Sequence, residues 1–301
     1  MKFRSLGAGL ILGAALAVPA GAQSLDLGGT PGAAPQPIQI TASQGIQWQQ
    51  ENQVVIAMGN AKAVRGDVTV TADQLIAHYR KKATAAADAK AAPGAATDIL
   101  NQGNTSLYEI EASGHVHIYT ATDNAWADHA VYSMDDAVLV LTGQHLKLTT
   151  PHDTITARDS VEYYAAKRQA VARGNALIVA DDGRSIAADT LIGDLAPAVS
   201  SPAPAAPGAD ALAQAGQLQK VEAIGHVVIR TTEDTATGDT GVYLPQQGRA
   251  RLGGDVHIIQ GPNEMSGSDA LVDMKTGIAT LLAGPGGQVA GTITPGSAPQ
   301  K

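Results

Sequence analysis

One pattern recurs six times along the chain: a glycine with apolar residues at every second position on both sides. The copies are VVIAMGNAKA (54–63), IEASGHVHI (110–118), VLVLTGQHLKL (138–148), AVARGNALI (170–178), VEAIGHVVI (221–229) and ARLGGDVHI (250–258). The anchors are Gly59, Gly114, Gly143, Gly174, Gly225 and Gly254. Positions four and two before them carry Val55/Ala57, Ile110/Ala112, Leu139/Leu141, Ala170/Ala172, Val221/Ala223 and Ala250/Leu252. Positions two and four after them carry Ala61/Ala63, Val116/Ile118, Ala176/Ile178, Val227/Ile229 and Val256/Ile258. The third copy slips by one residue, to Leu146 and Leu148, which predicts a bulge. Successive side chains of a strand point to opposite faces, so period-two alternation predicts strands with one buried face. A glycine at the same place in every strand predicts a bend or a close backbone approach.

A second strand follows each first one, marked by Asp73, Asp128, Asp159, Asp189, Asp239 and Asp269, 14 to 16 residues after the glycine. Six copies argue for a repeated turn or edge hydrogen bond and against a catalytic role in one of them. Uninterrupted repeats are 29 to 31 residues long. The two longer intervals hold Ala/Pro-rich stretches at about 83–106 and 196–217, at equivalent points of the repeat, so the chain divides into two sets of three repeats. These stretches have too little apolar surface to bury and read as disordered insertions, dispensable for folding. The segments 23–40 and 285–301 read as flexible tails, leaving 41–284 as one all-β repeat domain of about six two-strand units.

Residues 1–22 read as a cleaved secretory signal: Lys2 and Arg4, an apolar run from Leu6 to Val18, then small residues at Ala20-Gly21-Ala22. Losing Lys2 and Arg4 takes the formal charge from −8 to −10, a poor match for nucleic acid, whose phosphates call for a basic face. The absence of cysteine suits an oxidising compartment and excludes thiol nucleophiles, disulfides and cysteine-ligated zinc.

Little else points to chemistry. The chain has no phosphate-binding glycine loop, G-x-S-x-G or H-E-x-x-H. His115, His117, His226 and His257 are the best metal candidates by spacing, but outward strand positions account for them, and no metal or cofactor is expected. The carboxylate neighbours Asp135-Asp136 and Asp181-Asp182 point apart and make poor acid/base pairs, so the chain is not expected to be an enzyme. Tyr132, Tyr163 and Tyr243 each close a second strand, as cross-strand packing requires.

The strings GIQWQQENQVVIAMGNAKAVRGDVTVTADQLIAHYRKK (45–82) and LVLTGQHLKLTTPHDTITARDSVEYYAAKRQAVARGNA (139–176) resemble the LptA/OstA family of periplasmic lipopolysaccharide-transport proteins. The resemblance covers about 45–290. It implies a slightly twisted, open β-jelly-roll of V-shaped strands, and a groove that shields the acyl chains of lipid A. It also implies head-to-tail self-association between LptC-like inner-membrane and LptD-like outer-membrane partners, with no catalytic residues. The expected lipid-contacting positions are the large inward residues Val55, Ile110, Val116, Ile118, Leu139, Leu141, Val227, Ile229, Val256 and Ile258. Arg158, where other repeats place a small residue, and Gly193, in place of a closing tyrosine, depart from the repeat outline. The competing reading is an exported structural or adhesive β-solenoid without lipid cargo.

Overall fold

The computed structural model describes residues 38–81, 105–196, 218–283 and 288–292. They form one antiparallel sheet of eighteen strands: β1 (Gln39–Thr41), β2 (Gly45–Gln49), β3 (Val54–Arg65), β4 (Val68–Lys81), β5 (Thr105–Tyr119), β6 (Asn124–Ser133), β7 (Val138–Thr142), β8 (Leu146–Thr149), β9 (Asp153–Ala157), β10 (Ser160–Tyr164), β11 (Gln169–Ala180), β12 (Ser185–Leu195), β13 (Leu218–Arg230), β14 (Asp234–Leu244), β15 (Arg249–Gln260), β16 (Asn263–Asp273), β17 (Ile278–Leu282) and β18 (Ala290–Thr292). A single 3-10 turn, Ala165–Lys167, interrupts the β pattern among these residues.

The strands stack as a meander in which each rung pairs with the one before and the one after. Ten strands run through a whole rung; β1/β2, β7/β8, β9/β10 and β17/β18 are rungs broken at mid-length. The register shifts at the same place in successive pairs, for example between Met58 and Ala61, Ser113 and Val116, and Ile224 and Val227. That shift bends every rung, so its two halves belong to two sheet layers that share one core. The architecture is therefore all-β, bent and open, with β1/β2 exposed at one end and β17/β18 at the other.

The glycines make the bend. All six anchors have positive φ, from +76° at Gly59 to +136° at Gly143, a conformation glycine reaches without steric cost. At four bends the next residue is also left-handed: Asn60, His115, Asn175 and His226. Space is the second reason for glycine. A Cβ on Gly114, Gly143, Gly174, Gly225 or Gly254 would lie 2.2 to 2.5 Å from Oδ2 of Asp73, Asp128, Asp159, Asp189 or Asp239 respectively. At five of the six positions the recurring aspartate thus sits at the bend and not in a turn, where it buttresses the glycine of the next strand. It also takes hydrogen bonds there: the Gln144 N–H donates to Asp128 at 2.7 Å and the Asp255 N–H to Asp239 at 3.3 Å. His115 and His226 place Nδ1 2.8 Å from Asp73 and Asp189.

Hydrogen bonding to those aspartates, then their charge, raises both histidines above their ordinary pKa of 6.5. A raised folded-state pKa favours the protonated fold. The contribution is therefore complete below pH 6.5 and is lost as pH climbs through the folded value. His226→Gln is expected to lower the unfolding midpoint slightly at pH 5 and not at all at pH 9. Denaturant titrations at the two pH values check this, and an equal loss at both would rule it out.

The structure corrects the boundaries at both ends. β1 pairs Gln39–Thr41 with Lys62–Val64, and Gln39 and Ile40 lie inside the segment expected as the N-terminal tail. β18 pairs Ala290–Thr292 with Glu264–Ser266, inside the expected C-terminal tail. In each case the partner strand has a half-length free edge whose backbone groups the returning chain satisfies. Thr105 and Ser106 likewise belong to β5 and not to the first insertion. The rest of the two insertions, and the leader, lie outside the described residues.

Candidate functional site

The inner face of the bend is lined with Ala, Val, Leu and Ile from both layers. Nine of the ten expected lipid-contacting residues are buried there: Val55, Val116, Ile118, Leu139, Leu141, Val227, Ile229, Val256 and Ile258 are each 4 % exposed or less. Ile110, the tenth, is half-buried and lines two narrow gaps of about 30 and 20 Å³ in the first half of the stack. Val55 belongs to a small separate cluster with Ala77 and Tyr79 at the β2 end, and the other buried positions share the main core. In the second half, Val227, Ile229, Val256 and Ile258 pack tightly between the layers.

A larger space opens where the rungs are broken. A cavity of about 320 Å³ lies between β7–β10 and β11–β13. Its walls are Leu139, Leu141, Leu148, Ile155, Val161, Tyr163, Ile178, Leu191, Leu195 and Leu218, and its rim carries Asp123, His152 and Asp153. Gly193 sits on its wall, at the register position where neighbouring rungs place Tyr132, Tyr163 and Tyr243. Tyr132 and Tyr163 fill the core and Tyr243 packs against it, as cross-strand packing predicts; at 193 there is no ring, and the end of the Leu218 side chain lies against the glycine instead.

His152, Asp153, Ile178 and Leu218 also border a more polar cavity of about 350 Å³ at the mouth of the bend, with Asp181, Arg184, Tyr243 and Met274. Arg184 donates to Asp182 through Nε at 2.6 Å and makes a long contact, 3.4 Å, to the Met274 carbonyl of the opposite layer. Burial pushes the carboxyl of Asp153 above its usual range, the charges of Asp181 and Asp182 add to the rise, and His152 opposes it. Burial likewise raises Asp123, against hydrogen bonds from Thr122 and Thr120. The rim is thus polar and mixed in charge, and the wall is aliphatic.

The cavity walls supplied by β9 to β13 were not among the expected contacts. Ile155, Val161 and Leu191 lie on aspartate-marked strands, whose alternation is as regular as that of the glycine strands and is the signal that could have found them. Arg158 does not enter the groove. The longer glycine-to-aspartate spacing of the third unit lets Ala157 take the inward position, while Arg158 turns out and donates to Asp159 at 2.7 and 2.9 Å. The four histidines are not brought together: His115 and His226 flank different bends, His117 stacks on Trp126 at 4.9 Å, and His257 contacts Asp255 and Glu264.

Among the described residues this geometry offers a largely aliphatic lining with a polar rim. No helix among the described residues is long and apolar enough to cross a membrane. In comparisons with known proteins, the family described as LptA/(LptD N-terminal domain) LPS transport protein matches twice, at residues 39–161 and 158–278. The first match holds the bends at Gly59, Gly114 and Gly143, the second those at Gly174, Gly225 and Gly254, so the two sets of three repeats coincide with two copies of the family unit. No curated protein matches. Among solved structures, LptH of Pseudomonas aeruginosa, described as the LptA homologous periplasmic component of the conserved lipopolysaccharide transport device, is similar. It is 12 % identical, with 88 % of this chain and all of that one covered, and its TM-score of 0.20 carries no argument. The two family matches together span residues 39–278, and the chain belongs to the LptA/(LptD N-terminal domain) family of LPS transport proteins.

Proposed function

We propose that this chain is a periplasmic lipopolysaccharide-binding bridge, which carries lipopolysaccharide from inner to outer membrane with its acyl chains inside the bend. The observation that carries the reading is the aliphatic cavity beside Gly193, which shares His152, Asp153, Ile178 and Leu218 with a more polar cavity at Arg184. Each buried methylene is worth about 0.8 kcal/mol relative to water, so an acyl chain needs an apolar lining at every step across an aqueous space. The repeats supply one such lining per unit. Val55, Ile110, Val116, Ile118, Leu139, Leu141, Val227, Ile229, Val256 and Ile258 are the proposed contacts, and Leu148, Val161 and Leu191 join them.

The free edges at β1/β2 and β17/β18 support head-to-tail self-association, because unpaired backbone groups recruit a further strand and two different edges make a contact that propagates. The same edges would receive LptC-like and LptD-like partners. Removal of residues 1–22 would deliver the chain to the periplasm, and binding without turnover makes it a carrier, not an enzyme.

Mass spectrometry of lipid retained by the protein purified from its own cells, starting at Gln23, tests this reading. Lipopolysaccharide is the expected cargo, together with assemblies that grow with concentration in sedimentation. Filaments that hold no lipid would instead favour the structural solenoid.

A further inference from the structure

We propose that His78, Glu109 and Glu111 form a binding site for a divalent transition-metal ion on the outer face of the sheet. His78 Nε2 is buried and has no hydrogen-bond partner. One carboxylate oxygen of Glu109 and one of Glu111 each lie 3.9 Å from it, and the three ligand atoms all fall within 4.8 Å of one another. Zinc–ligand bonds of about 2.0–2.2 Å in tetrahedral geometry set ligand atoms roughly 3.3–3.6 Å apart, so modest side-chain rotation closes the set. An imidazole with two carboxylates is the donor class of zinc and its first-row neighbours.

The backbone builds this cluster across the β4–β5 pair, beside an irregularity. His78 of β4 pairs with Glu109 of β5, whereas Tyr79 pairs with Leu107, so Tyr108 is an extra residue on β5. Leu107 and Ile110 line the inner gap beside Val55 and Ala77. Tyr108 lies on the other face: its ring is 5.9 Å from the His78 ring and 5.6 Å beneath the Arg80 guanidinium. Regular pairing sets Glu109 opposite His78 and Glu111 two residues on along the same face, and the bulge adds the Tyr108 ring beside them; bulges re-aim side chains in this way at functional positions.

Arg80, two residues on from His78 in β4, is committed elsewhere, since it forks onto Asp135 at 2.7 and 2.8 Å. Among the described residues, the ion partner of both glutamates is His78. Two carboxylates around an unbonded imidazole nitrogen are a charge arrangement that a dication completes. The site also stands near the point where the chain leaves β4 at Lys81 and returns in β5 at Thr105. A metal link between β4 and β5 would pin the strands that close this excursion, where loop-closure entropy opposes pairing.

Calorimetric titration of the tag-free mature protein with zinc chloride, with thermal melting in the presence and absence of zinc, tests the site. One equivalent is expected to bind and raise the melting midpoint. His78→Gln, Glu109→Gln and Glu111→Gln are each expected to weaken binding at least about tenfold, since losing even a group hydrogen-bonded to a ligand costs that much. His115→Gln and His226→Gln, at the bends, are expected to leave it unchanged. The Glu→Gln variants keep shape and hydrogen bonding, so they remain informative if His78→Gln fails to fold. Absence of zinc binding in the mature protein, or binding that survives both Glu109→Gln and Glu111→Gln, would overturn the proposal.

Discussion

Gly225→Ala is expected to destabilise the fold by about 2–3 kcal/mol, far more than an added methyl group usually costs. An L-residue in the left-handed region loses about 1–2 kcal/mol, and Gly225 has φ +78°. The new Cβ would also sit 2.2 Å from Asp189 Oδ2, which would have to abandon His226. Gly261, at φ +55°, is the comparison, because nothing lies within 4 Å of its would-be Cβ. Gly261→Ala should therefore show only the backbone cost of about 1–2 kcal/mol. Pairing Gly225→Ala with Asp189→Ala should recover part of the loss, since the clash disappears with the carboxylate. Denaturant midpoints of the single and double variants give the comparison. Equal costs at 225 and 261 would mean that the aspartate does not buttress the bend.

The second large effect is on cargo. Gly193→Tyr restores the ring that neighbouring rungs carry and fills the cavity from its own wall. The backbone at 193 is not in the left-handed region, and the nearest obstacle to a Cβ is the flexible end of Leu218, at 2.8 Å. The variant is therefore expected to fold with an unchanged or higher midpoint. If the ring displaces about two methylenes of acyl chain at about 0.8 kcal/mol each, retention weakens by about 1.6 kcal/mol, roughly fifteenfold. Lipid retained per protein after purification reads this directly. Unchanged retention with the cavity filled would move the acyl chains elsewhere.

The strand register was legible because a two-residue period and a fixed anchor over-determine it. Val116, Ile118, Val227, Ile229, Val256 and Ile258 are all buried where counting from the glycine puts them, and the slip at Leu146 and Leu148 is the break between β7 and β8. The aspartates recur visibly, but their meaning depends on which residue lies across the hairpin. Only the shifted register sets Asp189 against Gly225, one strand ahead. The short strands at the ends, β1 and β18, carry no alternation long enough to read and exist because a neighbouring edge is free. The same holds for the cavity and the outer-face cluster. Gly193 borders a space only once Leu141, Val161, Leu191 and Leu218 are assembled around it, and Glu109 and Glu111 reach His78 only across the β4–β5 pairing, 31 and 33 residues along the chain.

Site-specific photo-crosslinking in cells tests the central claim most directly. A photoreactive residue at Leu141, on the cavity wall, is compared with one at Lys147, which points outward over the Trp126 ring. Lipopolysaccharide adducts at 141 and none at 147 are the predicted result. Adducts at 147 with none at 141 would place the cargo on the outside of the sheet and contradict the account.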